Sequence, residues 1–283
     1  MAGRAGRGGR AGRAGRAGGP PRRAGALTVA WTYLRLAVLV EVQYRVNFFV
    51  QLLQSAVAVG TALAVLALVF GYTGDVGGWS HDELLVVLGL HVLLGGVIQT
   101  FVQPNMTRLM TDVREGTLDF ALLKPVDTQF LVSVRDVNVW QLTDVAVGAG
   151  IAGLGVARLG GVDALGVMAF LAAAGCGVVL IYCTWLAVTV GAFWLVRMDF
   201  VVELFEGLYQ AGRWPVTIYP GWLRVGLTVL VPLAFAVTVP AEALTGRLTG
   251  ATLAVTAGFT LTVAVLTRWW WGHGIRRYDG ASA

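Results

Sequence analysis

Long uncharged stretches dominate the pattern of hydrophobic and polar positions along this chain. The six main runs comprise residues 46–74, 84–107, 137–157 (interrupted only by Asp144), 164–196, 225–241 and 248–267. A helix needs roughly 20 residues to cross a bilayer core about 30 Å thick, and continuous apolar runs of this length are typical of helices rather than of barrel strands. The pattern therefore predicts an all-α polytopic membrane protein with six transmembrane helices.

The segment before the first run has a mixed pattern. Between residues 26 and 45, large apolar side chains alternate with polar ones, and Glu41 and Arg45 have the i, i+4 spacing of a helical ion pair. Trp31, Tyr33 and Tyr44 are aromatic residues of the kind that membrane interfaces favour. We expect an N-terminal interfacial helix that lies along the cytoplasmic surface of the membrane.

Residues 1–25 form a segment rich in arginine and glycine, with no residue larger than proline between its regularly spaced arginines. This composition predicts a disordered tail ahead of one membrane domain, residues 26–283. Seven of the 21 basic residues lie in the tail, which leaves 14 basic against 16 acidic residues in the remainder. A nucleic-acid-binding domain is therefore not indicated. Over RNA binding, we favour either contact with anionic lipid and a topology signal as the role of the tail, or a start codon placed upstream of the true one.

The distribution of basic residues predicts the orientation of the chain. With the N-terminus in the cytoplasm, nineteen of the 21 basic residues fall in cytoplasmic segments, and only Arg158 and Arg247 fall outside. Short cytoplasmic loops are enriched in arginine and lysine. We therefore expect a multi-pass protein of the cytoplasmic membrane with both termini in the cytoplasm.

The run at 164–196 is longer than one crossing needs, since it would extend about 50 Å as a helix. The chain after this run can therefore cross the membrane in two ways, which we call threadings. In the first threading, 225–241 is the fifth span. In the other, 198–214 crosses the membrane and 222–244 forms a re-entrant hairpin before the last span. The second threading buries two glutamates and moves two arginines outside, so the charge rules disfavour it. The four residues concerned are Glu203, Glu206, Arg213 and Arg224.

Residues able to carry out catalysis are scarce. With 57% hydrophobic and only 13% charged residues, the composition excludes an ordinary soluble enzyme. No phosphate-binding loop of the form GxxxxGK[ST] occurs, because the only lysine, Lys124, is followed by proline. Ser55 shares no obvious depth with His81 or His91, so nucleophilic catalysis has no evident pair of residues. We expect no catalytic residue and no metal site in this chain.

A few polar residues lie beside or within the predicted spans. Ser80 is placed to cap the second span, with Asp82 and Glu83 in its first turn. Asp144 and Gln99 lie inside the third and second spans. An ionisable group inside a membrane is costly unless it faces protein, water or the interface. Asp144 and Gln99 are therefore candidates for the translocation path, with a structural hydrogen bond or a shallow position as the alternative for Asp144.

The segment from 105 to 136, between the second and third spans, combines apolar and charged residues. A short helix broken at Gly116, and a second stretch that ends at Lys124 and Pro125, would present an apolar face to a partner. Packing against the protein's own helices is the alternative. The residues that we expect to form this face and its surroundings are Val113, Glu115, Gly116, Leu118, Asp119, Phe120, Leu122, Lys124 and Pro125.

Four sequence strings together resemble the permease subunits of type-2 ABC exporters, with the viologen and drug export branch as the most similar. The resemblance covers about residues 27–282. The strings are GTLDFALLKPV at 116–126, IYPGWL at 218–223, VPAEALTGR at 239–247, and WGHG at 271–274 followed by Arg277-Tyr278.

The resemblance implies a six-helix subunit that pairs with a second permease subunit, identical or homologous, and with a separate ATP-binding cassette ATPase. ATP and Mg would be bound by that ATPase, and this chain would hold no cofactor. The first cytoplasmic loop, at about 108–135, and the interfacial helix would receive the motion of the ATPase, and a re-entrant region would precede the last span. The implied function is export of a hydrophobic or amphiphilic compound. The alternative is a membrane-embedded enzyme or scaffold that acts without an ATPase.

Overall fold

A computed structural model of the protein describes residues 26–41, 45–194, 199–229 and 231–278. The described residues are predominantly helical and contain no β-strand. The α-helices are α1 (Ala26–Glu41), α2 (Arg45–Phe70), α3 (His81–Val97), α4 (Gln103–Glu115), α5 (Asp119–Leu122), α6 (Thr128–Ser133), α7 (Leu142–Arg158), α8 (Ala164–Val190), α9 (Asp199–Gln210), α10 (Gly221–Val229), α11 (Val239–Leu244) and α12 (Gly250–Ile275). The predicted tail, residues 1–25, and Tyr44 lie outside the described residues.

Five helical segments in the described ranges are long and apolar enough to cross a membrane. They are Phe48–Phe70, His81–Glu115, Val139–Arg158, Ala164–Phe193 and Gly250–Ile275. Each overlaps one of the predicted runs, because an uncharged run of this length satisfies its backbone hydrogen bonds in lipid only as a helix. The all-α polytopic class is therefore confirmed.

The connections define two ends of the bundle. We name the end that carries the loops at 71–80, 159–163 and 245–249 the short-loop end, and the end that carries the segment at 116–138 the long-loop end. Helix α1 lies at the long-loop end, where Lys124 Nζ donates a hydrogen bond to the Tyr33 hydroxyl at 3.3 Å. Trp31, Leu36 and Leu39 of α1 are exposed, as the interfacial interpretation requires.

The segment at 199–218 supplies a further crossing between those of α8 and α12. Near its beginning, Gln103 Nε2 donates to Glu206 Oε1 at 2.8 Å, at the level where α4 starts. At its other end, Trp79 Nε1 donates to Thr217 Oγ1 at 3.1 Å, inside the loop at 71–80. Although α9 has only 12 residues, this segment connects the long-loop half of the bundle with the short-loop end.

Helix α10 and the helical segment 234–244 form a bent pair that begins and ends on the same side. The two parts enclose an angle of 77°. In α10, Arg224 donates to the carbonyl of Thr217, and just after the second part Arg247 Nη2 donates to the carbonyl of Gly78 at 2.7 Å. Both contacts lie at the short-loop end. The pair is therefore a re-entrant hairpin.

The structure thus has the threading that the resemblance implies and not the one that the charge rules favour, in which 225–241 is a complete span. At the turn of the hairpin, Ala236 packs against Gly177, near the middle of α8. The charge rules fail here because Glu206 is hydrogen-bonded by a neighbouring amide, and Arg224 bonds to backbone carbonyls at the end of the bundle.

Glycines bring α3 and α7 into backbone contact. A Cβ atom added at Gly96 would stand 2.7 Å from the backbone nitrogen of Val145, and one added at Gly148 would stand 2.7 Å from the Cα of Leu93. Lipid tails are as apolar as leucine, so helices in a membrane associate mainly by close packing, which small residues allow. The α3–α7 pair is therefore the most closely approached part of the bundle core.

We expect Gly148→Leu to destabilise the protein and Gly150→Leu to leave it unchanged. The added side chain at Gly148 would collide with α3, whereas Gly150 on the same helix has nothing within 4 Å of an added Cβ. Both changes alter helix propensity equally, so their difference isolates the cost of overpacking, about 1–3 kcal/mol or more. Thermal denaturation followed by size-exclusion chromatography measures it. Equal stability of the two variants would contradict the close approach of α3 and α7.

Cysteine labelling tests the hairpin. In a variant whose two native cysteines are replaced, we expect Asp75→Cys and Gly221→Cys to react with a membrane-impermeant maleimide from the same side, because both residues are exposed at the short-loop end. Arg276→Cys should react only from the other side. Labelling of Gly221→Cys from the side of Arg276→Cys would show that 222–244 spans the membrane.

Candidate functional site

The predicted partner-facing loop begins where α4 ends, at Gly116. This residue has a φ of 72°, in the left-handed region that glycine favours at helix C-termini. The chain then folds back on the helix, and the backbone N–H groups of Thr117 and Leu118 donate to the carbonyl of Asp112 at 2.9 and 3.3 Å. The helix therefore stops at the glycine, as the sequence predicts.

Exposure divides the predicted loop residues into two groups. Phe120 and Leu123 are 72% and 82% exposed, whereas Leu118 is completely buried. The exposed apolar surface therefore consists of Phe120 and Leu123, and Leu118 instead attaches the loop to the core. Leu123 is one of the apolar residues of this segment in the sequence, but it is not among those that we expected to form the face. Of the others, Glu115, Lys124 and Pro125 are exposed, and Val113, Gly116, Asp119 and Leu122 are half-buried.

Polar contacts fix the base of this loop to α4. Arg135 Nη2 donates to Asp112 Oδ2 at 2.5 Å, and both side chains are largely buried. The Asn105 side chain bonds to the backbone on the far side of the loop, where its Oδ1 accepts from the N–H groups of Arg135 and Asp136 at 2.9 and 3.0 Å. Asn105 and Asp112 of α4 therefore fix the part of the loop that leads back to the bundle, at Arg135 and Asp136.

A second set of contacts connects the loop to α8 and α12. Arg268 donates to Asp127 Oδ2 at 2.6 Å and to Gln129 Oε1 at 2.5 Å. The Tyr182 hydroxyl accepts from Gln129 Nε2 at 3.2 Å and lies 2.8 Å from Ser133 Oγ. The hydrogen bond from Arg268 lowers the pKa of Asp127 below its ordinary value. Sequence reasoning missed this set, although Asp127 carries a local signal as the N-cap of α6.

Asp144 and Gln99, the predicted intramembrane candidates, line one cavity of about 130 Å³ between α2, α3, α7 and α9. Ser55, His91 and Arg213 line the same cavity. The expectation that Ser55 and His91 lie at different depths is therefore wrong, since α2 and α3 bring them together. Ser55 Oγ and His91 Nδ1 have no hydrogen-bond partner among the described residues, so the two are not arranged as a nucleophile and its base.

The helix is irregular where it passes this cavity. Residues Ile98–Val102 form a π-helical turn, which frequently marks functional sites. Pro104 has no N–H to give to the carbonyl of Thr100, and that carbonyl accepts from the N–H of Asn138 at 3.0 Å instead. Gln99 lies within this turn.

Two further cavities share lining residues with the first one. A cavity of about 210 Å³ shares Gln99 with the first, and a cavity of about 640 Å³ shares Gln99 and Gln103 with the second. The last is lined by Thr111 and Glu115 at the end of α4. Neighbouring cavities therefore lie along α3 and α4, from the middle of the bundle to the end of α4 beside the predicted partner-facing loop.

The polar cluster at the start of α3 has a structural role. Ser80 caps the helix and Glu83 completes a capping box, which confirms the sequence interpretation. Arg247 Nε donates to Glu83 Oε1 at 2.6 Å and thereby attaches the end of the re-entrant hairpin to α3. Among the described residues, no group of three or more His, Cys, Asp or Glu side chains is placed to hold a metal ion.

Comparison with protein families supplies the identity of the fold. The model of the ABC-2 family transporter proteins matches residues 56–282, which is more than half of the chain. No curated protein and no solved structure shows a significant match. The matched range includes both the loop between α4 and α7 and the re-entrant hairpin. The chain therefore belongs to the ABC-2 family of transporter proteins and is a membrane transport component.

Proposed function

We propose that this chain is the permease subunit of an ATP-binding cassette exporter of the cytoplasmic membrane. A separate ATPase subunit would bind ATP and Mg, and a second permease subunit, identical or homologous, would complete the transport unit. The cargo would be a hydrophobic or amphiphilic compound, and both termini would face the cytoplasm. The resemblance to the viologen and drug export branch belongs to the same proposal.

The observation that carries the proposal is the loop at 116–126. It exposes two large apolar side chains, Phe120 and Leu123, beside Lys124 and Glu115. An apolar surface rimmed by charged residues is typical of a site for a protein partner. Because this end of the bundle is rich in basic residues, the loop would face the cytoplasm, where an ATPase has access to ATP.

The contacts of the loop suggest how force would reach the membrane. Its base is fixed to α4, and its continuation through α6 is fixed to α8 and α12. A push on Phe120 would therefore move these helices together rather than deform a flexible loop. Helix α4 continues through the π-helical turn into α3, so the displacement would reach the cavity that Asp144 lines.

The alternative, an enzyme or scaffold that needs no ATPase, would require His81, Asp82, Glu83 or Asp144 to carry activity by itself. His81 pairs with Asp82, and Glu83 completes the cap of α3. Asp144 shares a cavity with Ser55 and His91, but Ser55 Oγ, His91 Nδ1 and Asp144 Oδ1 all lack a partner among the described residues. Nucleophilic catalysis requires the nucleophile and the base within hydrogen-bond reach of each other. The geometry therefore favours transport.

We expect the double variant Phe120→Asp/Leu123→Asp to lose its ATPase partner. Each change removes a large apolar side chain from the contact, which is worth about 2 kcal/mol when the side chain is buried. Co-purification with a co-expressed ATPase subunit that binds the wild type should fall at least about tenfold. Tyr72→Asp, at an exposed site of the short-loop end, is the matched control and should retain binding. Undiminished co-purification of the double variant would disprove the proposed coupling surface.

Asp127→Asn tests the connection between the loop and α12. Asparagine still caps α6, so the change removes mainly the charge. Arg268 lowers the folded-state pKa of Asp127 below the ordinary 3.8, so the ion pair stabilises the wild type above that pH. The contribution is lost as the pH falls through the lowered folded-state pKa. Both side chains are about half exposed, which limits the gain to about 1 kcal/mol.

The expected measurement is a melting-temperature difference between wild type and Asp127→Asn that is present at neutral pH, declines as the pH falls below 3.8, and vanishes below the lowered folded-state pKa of Asp127. A difference that stays constant over the whole pH range would show that the ion pair does not stabilise this connection.

A further inference from the structure

Three buried polar atoms of residues that line the cavity of about 130 Å³ have no hydrogen-bond partner among the described residues. Ser55 and His91 are only 6% and 5% exposed, yet Ser55 Oγ and His91 Nδ1 have no hydrogen-bond partner among the described residues. Asp144 Oδ1 is also buried and without a partner. A buried polar atom left unpaired costs about 1–3 kcal/mol, so three of them around one cavity call for an occupant.

The two charged residues of the cavity have opposite signs. Asp144 Oδ2 accepts from Gln51 Nε2 at 3.5 Å, a weak contact that leaves most of its carboxylate available. Arg213 lines the cavity as well and is an exposed residue. An occupant with only one charge would leave the other residue unmatched in a membrane, where an isolated charge is costly.

The two charged residues lie at different levels along α3. Asp144 packs beside Gly96, and a Cβ added at Gly212, next to Arg213, would stand 3.3 Å from His91 Nδ1. His91 and Gly96 are five residues apart on α3, which is about 7.5 Å along the helix. An occupant that carries both charges, a few bonds apart, suits this arrangement better than one with a single charge.

We propose that this cavity binds the headgroup of an amphiphile that carries a primary ammonium and a phosphate a few bonds apart. Asp144 Oδ1 accepts from the ammonium, and Arg213 donates to the phosphate. His91 donates from Nδ1 to the phosphate in the tautomer that carries its proton there, and the Ser55 hydroxyl bonds to either group. This inference rests on the proposed export function and names the chemical class of the cargo.

The neighbouring cavity suits the rest of such a molecule. It shares Gln99 and Tyr209 with the first cavity, and Ile98, Trp185 and Phe205 form its apolar wall. The rings of Trp185 and Phe205 pack in a tilted arrangement, with their centroids 4.4 Å apart. A single alkyl chain that leaves the first cavity on this side would pack on this wall, whereas the remaining lining is polar and includes Gln103 and Glu206.

Binding of lysophosphatidylethanolamine to the purified permease, without any ATPase, tests the proposal. The matched probes are lysophosphatidylcholine, whose methylated ammonium has no N–H donor, and lysophosphatidic acid, which has no ammonium. We expect the first to bind at least about tenfold more tightly than either of the others, as measured by calorimetry in a non-ionic detergent. Equal affinity for the ethanolamine and choline lipids would overturn the proposal.

Charge-removing variants test whether Asp144 binds the ammonium and Arg213 binds the phosphate. Asp144→Asn should remove the preference for lysophosphatidylethanolamine over lysophosphatidic acid, and Arg213→Gln should weaken binding of all three lipids. Asp75→Asn, an exposed aspartate at the short-loop end, should bind as the wild type does. Unchanged lipid preference in Asp144→Asn would exclude its carboxylate as the ammonium acceptor.

A variant that keeps every charge covers the case in which Asp144→Asn does not fold. Gly212→Ala places a methyl group 3.3 Å from His91 Nδ1 and crowds the nitrogen that would donate to the phosphate, so binding of lysophosphatidylethanolamine should fall at least about tenfold. Undiminished binding would refute the site. These measurements need no ATPase, so a negative result leaves the coupling surface at Phe120 untouched. Conversely, loss of ATPase coupling with lipid binding intact would reject only the export function.

Discussion

The close backbone approach of α3 and α7 is the constraint on which the rest of the structure depends. In lipid, two helices gain nothing from hiding apolar side chains from each other, so only dense packing holds them together. Glycines such as Gly96 and Gly148 remove the Cβ atoms that would keep the backbones apart. This contact places Asp144, one residue before Val145, directly beside α3, and thereby forms one wall of the polar cavity.

The same packing explains why polar atoms remain unpaired near the middle of the bundle. Helix α9 approaches α3 closely enough for the Tyr209 hydroxyl to donate to the carbonyl of His91 at 2.6 Å. The tyrosine ring stacks on the imidazole, with ring centroids 4.5 Å apart. These contacts occupy the tyrosine and leave His91 Nδ1 without a partner, beside Arg213 and Asp144. A rigid frame around unpaired groups is the arrangement that a binding site requires.

The long-loop end combines rigidity with exposure. Part-buried polar contacts hold the loop to α4 and α8, and an exposed ion pair holds it to α12. The apolar side chains of Phe120 and Leu123 are therefore presented on a firm base. In the proposed transport cycle, the ATPase would push on this base and the movement would change the shape of the cavity. The π-helical turn at Ile98–Val102 connects the two, because it lies in the continuous helical segment His81–Glu115, which lines the cavity and ends at the loop.

The sequence by itself determined the class of the protein, five of its spans, the end of α4 at Gly116 and the capping of α3 by Ser80, because these depend on local composition, on apolar length and on residue-specific backbone preferences. Only the tertiary structure decided which threading 199–244 adopts, that Leu118 is buried while Leu123 is exposed, and that Ser55, His91 and Asp144 meet. These outcomes depend on contacts between residues far apart in the chain, such as that between Arg247 and Glu83. Hydrophobic periodicity and charge counts along a single segment contain no information about such contacts.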